Sequence, residues 1–164
     1  MVLKFAVYGL GDAGNEIARR AIAKKMDPVA LIDENAGRLG KASGRIMTLE
    51  KRRMTVITSD DSRALAESEP QIAFHATGAT GAKAAAQILA CIKAGAGVIT
   101  LSKLPPASTK TGRRIDSAAT KKKVAVVSVS GIRTPAARAV ALAARVIASA
   151  RKRPGLKTLA DYVL

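Results

Sequence analysis

The chain has 164 residues and a mass of 17.0 kDa, which suits one domain with a substantial core and is too short for two of ordinary size. Its formal net charge is +16, and 48% of its residues are apolar, which excludes a disordered basic tail. No apolar run approaches the roughly 20 residues that cross a bilayer, and the N-terminus lacks a signal-peptide pattern. We therefore expect a cytoplasmic protein with no membrane partner.

The chain has a single cysteine, Cys91, and a single histidine, His75. These counts exclude an internal disulfide and a histidine-rich metal site, and we predict no bound metal. Cys91 lies in an apolar segment and is interpreted as a thiol packed in the core rather than a reactive one. With two Phe, two Tyr and no Trp, platforms on which nucleic-acid bases could stack are scarce.

The positive charge is concentrated in the second half of the chain. Residues 1–82 hold 12 basic and 10 acidic residues, whereas residues 83–164 hold 16 basic and 2 acidic ones. The net charges of the two halves are thus +2 and +14. A basic half is typical of proteins that bind nucleic acid or another polyanion, and a solvated charged surface is the alternative interpretation.

Strand-like and helix-like segments alternate along the chain with short connections, a pattern typical of βαβ units and a parallel sheet. The predicted strands cover residues 3–8, 29–33, 55–58, 71–76, 97–101 and 124–128. The predicted helices cover residues 13–25, 62–68, 81–94, 109–122 and 134–153, and residues 35–45 form a glycine-rich, irregular stretch. In the last helix, Thr134 is the expected cap and Pro135 the first-turn residue.

Six strands with intervening helices predict an α/β, doubly wound, three-layer Rossmann domain with a parallel sheet in the order 3-2-1-4-5-6. We assign this dinucleotide-binding domain to residues 1–153 and a short tail to residues 154–164. No separate substrate domain is expected within the chain.

A glycine-rich turn joins the first strand to the first helix. It reads Gly9-Leu10-Gly11-Asp12-Ala13-Gly14 and matches the G-x-G-x-x-G fingerprint of dinucleotide-binding domains in the required context. The first glycine permits the tight turn, the second lets the backbone approach a pyrophosphate, and the third lets the helix pack on the strand. The helix N-terminus then presents N–H groups to the anion. We predict that all six residues contact the cofactor.

An acidic residue follows the fingerprint at the expected distance. Asp33 lies 19 residues after Gly14, at the end of the second strand, where a carboxylate hydrogen-bonds an adenosine ribose and repels a 2′-phosphate. This favours NAD over NADP. However, Arg38, Lys41 and Arg45 follow closely and are suited to hold that phosphate, so NADP remains the alternative; Arg38 is included among the cofactor-binding residues.

Further candidates follow the fourth and fifth strands, whose carboxyl ends lie beside the glycine-rich loop at the switch point of such a sheet. Thr77 and Gly78 are predicted to contact the ribose and nicotinamide half of the cofactor. His75 precedes them and is interpreted as a structural imidazole, with a catalytic or ligand-binding role as the alternative. Lys103, after the fifth strand, is a candidate for contact with substrate or ribose, with a solvated lysine as the alternative.

The chain resembles the N-terminal coenzyme domain of dihydrodipicolinate reductase and of enzymes of the 2,4-diaminopentanoate dehydrogenase type. The residues that carry this resemblance lie within residues 3–135, in segments 7–19, 74–78, 91–100 and 130–135 together with the Asp33 strand. More distantly, residues 99–103 are similar to the strand-five segment of homoserine dehydrogenase.

The resemblance implies hydride transfer from a nicotinamide cofactor to a C=N or C=O carbon of an amino-acid-related small molecule. In that family a second domain follows the sixth strand and supplies most catalytic groups, and this chain has no room for one before residue 164. The alternatives are a non-catalytic NAD(P)-binding redox sensor or regulatory module and, third, a basic nucleic-acid-binding protein.

The last helix and the tail predict self-association. Arg138, Arg145 and Lys152 recur every seven residues and so share one helix face. The tail adds the apolar residues Leu159, Tyr162, Val163 and Leu164, which a single small domain would not fully cover. We therefore predict a homodimer through this C-terminal region.

Overall fold

The computed structural model describes residues 2–41, 55–57, 62–150 and 152–162. It contains seven described strands: β1 Lys4–Tyr8, β2 Asp27–Ile32, β3 Thr55–Ile57, β4 Ile72–His75, β5 Gly97–Thr100, β6 Ala125–Ser128 and β7 Gly155–Lys157. The helices with described bounds are α1 Asp12–Ala23, α2 Ser62–Glu67, α3 Gly81–Lys93, α4 Lys110–Lys122 and α5 Pro135–Ala150, followed by a 3₁₀ helix, Leu159–Tyr162.

The strands form one parallel sheet in the order β3-β2-β1-β4-β5-β6-β7. The α/β class and the predicted order of the first six strands are therefore confirmed. The strand order reverses between β1 and β4, so the loops that follow these two strands run in opposite directions from the carboxyl edge of the sheet and leave a crevice between them. That is where ligands bind in doubly wound folds.

The seventh strand differs from the sequence interpretation, which assigns the segment after α5 to a tail. Gly155 to Lys157 pair with residues 125–127 of β6 and extend the sheet by one strand. Three residues are too few to show an alternating pattern in the sequence, so β7 is defined by its neighbour rather than by its own composition.

Alternation along the strands divides the core between the two faces of the sheet. On β1, Phe5 and Val7 pack with α1 and α5, whereas Ala6 and Tyr8 pack with α3 and α4. All four residues are at most 2% exposed. Small aliphatic side chains dominate both layers, as expected of a chain with few aromatic residues, and the two-sided burial explains why the strands are nearly uniformly apolar.

Three local expectations differ from the structure. Pro28 does not precede β2 but lies within it, opposite Phe5, where the register shifts and leaves Val29 without a partner on β1; proline lacks the N–H that a regular ladder needs. Residues 36–41 are helical rather than irregular. Thr134 has φ +53, and its hydroxyl donates to the Arg133 carbonyl rather than capping α5.

Within the described ranges, none of the helices is long and apolar enough to cross a membrane. Cys91 is buried in α3, in agreement with its interpretation as a core thiol.

Candidate functional site

The glycine-rich loop connects β1 to α1 with the geometry that the fingerprint requires. Gly9 has φ +94, and a Cβ there would lie 2.8 Å from the carbonyl of Ala76, so only glycine fits the turn. A Cβ at Gly14 would lie 1.8 Å from the carbonyl oxygen of Gly9, which keeps α1 close to β1. At Gly11, by contrast, a Cβ would meet no heavy atom within 4 Å. The space beside Gly11 is therefore open to a ligand.

Gly11 is also the N-cap of α1, so no side chain caps this helix. The amides of the first turn, which include Asp12 and Ala13, are therefore available to an anion at the positive end of the helix dipole. The Leu10 side chain is 1% exposed and packs in the core, so this residue can meet a ligand only through its backbone.

Asp33 connects the glycine-rich loop to the end of β2. Its Oδ2 accepts a hydrogen bond of 2.6 Å from the Leu10 N–H, and its Oδ1 accepts one of 2.7 Å from the Asn35 N–H. The side chain is fixed although 7% of the residue remains exposed. Each carboxylate oxygen has a second lone pair, so Asp33 retains capacity for ligand hydroxyls.

A groove with a volume of about 340 Å³ lies between the loops that follow β1, β2 and β4. The predicted residues that line it are Gly9, Gly11, Asp33, Arg38, Thr77 and Gly78. Four other predicted cofactor residues do not line the groove; they belong to the glycine-rich loop and the start of α1 and are Leu10, Asp12, Ala13 and Gly14. Lys41 is exposed at the end of the helical residues 36–41, and Arg45 lies outside the described residues.

Two charged residues that the sequence did not single out form an ion pair at this groove. The Lys83 ammonium on α3 lies 2.8 Å from a Glu34 carboxylate oxygen, and both residues line the groove. The pair connects the loop after β2 to the start of α3. Residues 34 and 83 are far apart in sequence, and no spacing rule brings them together.

Tyr8 also lines the groove and is not among the predicted residues. It is the last residue of β1 and is 2% exposed, and its hydroxyl has no hydrogen-bond partner among the described residues. A buried hydroxyl without a partner is costly. The oxygen is enclosed and the ring packs in the core with α3 and α4, so the hydroxyl is not a contact that the groove offers to a ligand. Sequence reasoning missed Tyr8 because it reads as a strand residue.

His75 lies at the centre of a buried hydrogen-bond network beneath the loop after β4. Its Nε2 lies 2.9 Å from Gln87 Oε1, so Nε2 donates, and its Nδ1 accepts from the Thr100 hydroxyl at 2.8 Å. The Thr77 hydroxyl lies 3.1 Å from Nε2 and donates to the same Gln87 oxygen. Burial lowers the pKa of His75. The imidazole is fully buried and fixes Thr77, which favours the structural interpretation.

A second and larger cavity, of about 790 Å³, opens beside the groove at the same edge of the sheet. Thr77, Gly78 and Ala79 separate the two spaces and line both. Across the larger cavity lie Lys103 and the segment that follows it. The structure therefore places Lys103 beyond Thr77 and Gly78, on the side away from Asp33. A two-ended ligand has room in this arrangement.

Among the described residues, no group of three or more His, Cys, Asp and Glu side chains is placed to hold a metal ion. The polar groups around the groove are instead backbone N–H groups, which donate hydrogen bonds, and the Asp33 carboxylate, which accepts them. This combination suits a ligand with phosphate and sugar groups.

Comparison with protein-family models and with curated proteins finds no match. Solved structures, in contrast, share the fold. An amine dehydrogenase from Mycobacterium smegmatis has a TM-score of 0.65 and 23% identity over 77% of this chain and 38% of its own. GenD2 from gentamicin A biosynthesis, in complex with NAD, has a TM-score of 0.59 and 26% identity over 77% of this chain and 34% of its own.

S. aureus homoserine dehydrogenase is a more distant likeness, with a TM-score of 0.51 and 15% identity over 78% of this chain and 32% of its own. The chain thus spans 32–38% of the length of these three proteins. The likenesses establish the Rossmann-type fold. The narrower resemblance to dihydrodipicolinate reductase stays a prediction.

Proposed function

We propose that the chain is the nicotinamide-dinucleotide-binding domain of an oxidoreductase similar to dihydrodipicolinate reductase. The observation that carries the proposal is the groove, where the glycine-rich loop, Asp33 and the loop after β4 line one space. The open side of Gly11 fits a ligand lying in it. GenD2, a structural neighbour, is in complex with NAD, which supports the same cofactor here.

In this proposal each part of the groove takes one part of the dinucleotide. The first-turn amides of α1 hold the pyrophosphate, Asp33 accepts hydrogen bonds from the adenosine ribose, and Thr77 with Gly78 contacts the nicotinamide half. The Asp33 and Glu34 carboxylates disfavour a 2′-phosphate, so we propose NAD as the preferred cofactor. Arg38 lines the groove and is the residue that supports NADP as the alternative.

The bound nicotinamide supplies the hydride in such enzymes, while the protein aligns the reactants. We propose that the acceptor is a C=N or C=O carbon of an amino-acid-related small molecule in the larger cavity. Lys103, on the far wall of that cavity, is the proposed contact for this substrate. A non-catalytic redox sensor or regulatory module has the same groove and differs in one respect: it binds the cofactor without turnover.

A glycine-to-alanine pair tests the dinucleotide site. Gly11→Ala adds a methyl group to the open space beside the helix start, where it meets no protein atom within 4 Å. We expect the fold to persist, with a loss in stability of at most about 1 kcal/mol at an N-cap. NAD(H) affinity, measured by calorimetry at low salt, should fall by about tenfold or more, which corresponds to roughly 1.4 kcal/mol.

Gly40→Ala is the matched control. A Cβ at Gly40 also meets nothing within 4 Å, and Gly40 does not line the groove, so NAD(H) affinity should stay unchanged. Absence of NAD(H) and NADP(H) binding at millimolar ligand in the unaltered protein contradicts the proposal. Equal NAD(H) affinities of the Gly11→Ala and Gly40→Ala variants would show that Gly11 does not contact the cofactor.

We also propose a cytoplasmic homodimer that associates through α5 and the residues after it. The outer face of α5 exposes Ala141, Ala144, Arg145 and Ala148, and three of these four side chains are small enough for a second copy to approach the helix closely. Tyr162, however, is 5% exposed and packs against α5 of its own chain, with its hydroxyl 2.9 Å from that of Ser149. The helix face therefore supports the dimer more than the tail does. Sedimentation over a concentration series measures the association.

A further inference from the structure

A third cavity lies at the carboxyl edge of the sheet, beyond the larger cavity and away from the dinucleotide groove. It has a volume of about 390 Å³ and is formed by the loop after β5 and by the ends of β6 and β7. It exists because β7 joins the sheet beside β6. Residues 103–106 line both this cavity and the larger one, so the two cavities lie next to each other on either side of this segment.

The charged groups that line this third cavity are both cations, which are suited to an anion. Two ammonium groups, Lys103 and Lys157, stand with the hydroxyls of Ser128, Ser130 and Thr158, and the described lining contains no carboxylate. Lys157 is only partly exposed, whereas Lys103 is exposed. Two cations in a concave wall that no carboxylate lines raise the local concentration of anionic ligands.

The serine pair is already ordered in this cavity. Ser128 Oγ donates to the Ser102 carbonyl at 2.9 Å and accepts from the Ser130 N–H at 3.1 Å. Ser130 Oγ lies 2.9 Å from Ser128 Oγ. Because the Ser128 proton is directed to the Ser102 carbonyl, the Ser130 hydroxyl donates to Ser128 Oγ. Both serine protons are therefore used within the protein.

One carboxylate lies near the third cavity without lining it. Asp161, on the 3₁₀ helix, accepts hydrogen bonds at its Oδ2 from the Thr158 N–H at 2.6 Å and the Thr158 hydroxyl at 2.9 Å. These two bonds lower its pKa most, and the charges of Lys157 and Arg153 lower it further. Asp161 is therefore negatively charged near neutral pH and opposes an anion beside Lys157.

We infer that the third cavity binds a small oxyanion, the carboxylate or phosphate group of a small molecule. Lys103 and Lys157 supply the positive charge and the charge-assisted hydrogen bonds. That this molecule is the hydride acceptor rests on the function proposed above, whereas the anion site itself does not. On that basis the acceptor has an anionic group on the side away from the dinucleotide groove.

Titration of the full chain with malonate and, separately, with inorganic phosphate tests the site. Calorimetry at about 0.1 M salt is suitable because charges more than roughly 10 Å apart are then largely screened. We expect Lys157→Gln to weaken binding by about tenfold, the typical worth of one charge-assisted hydrogen bond, and Lys157→Arg to retain it. Asp161→Asn should strengthen binding, because it removes the opposing charge.

Lys122→Gln is the matched control. Lys122 is an exposed lysine at the C-terminal end of α4. A helix of 13 residues extends about 20 Å at 1.5 Å per residue, so Lys122 lies far from the carboxyl edge of the sheet, where the third cavity is. Its loss should leave anion affinity unchanged. Equal weakening by Lys122→Gln and Lys157→Gln overturns the proposal, since binding would then follow net charge alone.

The two ligands also identify the anion. Tighter binding of malonate than of phosphate assigns the site to a carboxylate, and the reverse order assigns it to a phosphate group. Binding of neither ligand overturns the proposal. An NAD(H) titration of the same protein keeps the two proposals apart: cofactor binding without anion binding removes only the anion site, and anion binding without cofactor binding removes only the proposed function.

Discussion

At the residue scale, the chain's one histidine is buried beneath the loop after β4, and it positions that loop without lining the groove or the larger cavity. His75 is fully buried and bonded on both ring nitrogens, and burial lowers its pKa from the ordinary value of 6.5. The unfolded chain therefore takes up a proton at a higher pH than the folded chain does. The contribution of neutral His75 to the stability of the folded chain is fully present above pH 6.5, the pKa of an unperturbed histidine. It is lost as the pH falls below that value.

We expect the free energy of unfolding to decrease when the pH is lowered from about 7 to about 5, the range in which an unperturbed histidine titrates. Urea denaturation at a series of pH values measures this slope. Glu16 and Asp161 have lowered pKa values, owing first to the Arg19 hydrogen bond and to the Thr158 N–H respectively, so they titrate below this range. His75→Gln should abolish the slope; a slope that persists in this variant contradicts the assignment.

At the element scale, β7 depends on a contact from α4 as well as on its pairing with β6. Asp116 Oδ1 on α4 accepts a hydrogen bond of 2.8 Å from the Leu156 N–H. Gly155, one residue earlier, has φ +105, and a Cβ there would lie 2.5 Å from the same oxygen. One glycine thus permits both the backbone turn into β7 and the approach of the carboxylate.

We expect Gly155→Ala to destabilise the protein by more than the roughly 1–2 kcal/mol that left-handed backbone costs an alanine. The added methyl displaces Asp116 and breaks its bond to Leu156. Gly131→Ala is the control, because Gly131 also has positive φ, +74, but a Cβ there meets nothing within 4 Å. The difference between the urea midpoints of the two variants measures the cost of the contact between the added methyl group and Asp116. Equal midpoints would contradict this account of β7.

At the scale of the whole molecule, the basic side chains that form ion pairs lie in the part of the chain up to Lys83, whereas those from Lys93 onward have no such partner among the described residues. Within the described ranges, the ion pairs join residues between Lys4 and Lys83, and none includes a base from Lys93 onward. Among the described residues, a large group of bases without an ion pair lies on and just after α4, where all six are exposed: Lys110, Arg113, Arg114, Lys121, Lys122 and Lys123. Like charges at helical spacing repel one another, so this surface favours a polyanion or anionic ligands over a neutral partner.

We expect duplex DNA to bind this surface weakly and without sequence preference at about 50 mM salt and to dissociate by about 200 mM, as phosphate neutralisation alone predicts. Gel-shift titrations across that range measure the effect. Replacement of Lys121, Lys122 and Lys123 by Gln should reduce the salt slope by about one for each phosphate that is no longer neutralised. Replacement of Arg19 and Arg20, which pair with Glu16, should change it less. Salt-resistant, sequence-specific binding would contradict this expectation and favour a nucleic-acid-binding function.

The sequence by itself determined the α/β class, the order of six strands and the glycine-rich loop with Asp33. These features depend on short-range signals: apolar runs of strand length, helix boundaries, and glycines whose spacing is set by one turn. Gly9, Gly11, Asp33, Thr77 and Gly78 can therefore be assigned to one edge of the sheet from the amino-acid order alone.

Only the tertiary structure decided which residues complete that edge. Tyr8 and the Lys83–Glu34 pair line the groove, Gln87 fixes His75, and β7 closes the third cavity. Each of these depends on contacts between segments distant in sequence, or on a strand defined by its neighbour. No local pattern encodes such contacts, because the free energy that selects them comes from burial and pairing in the assembled sheet.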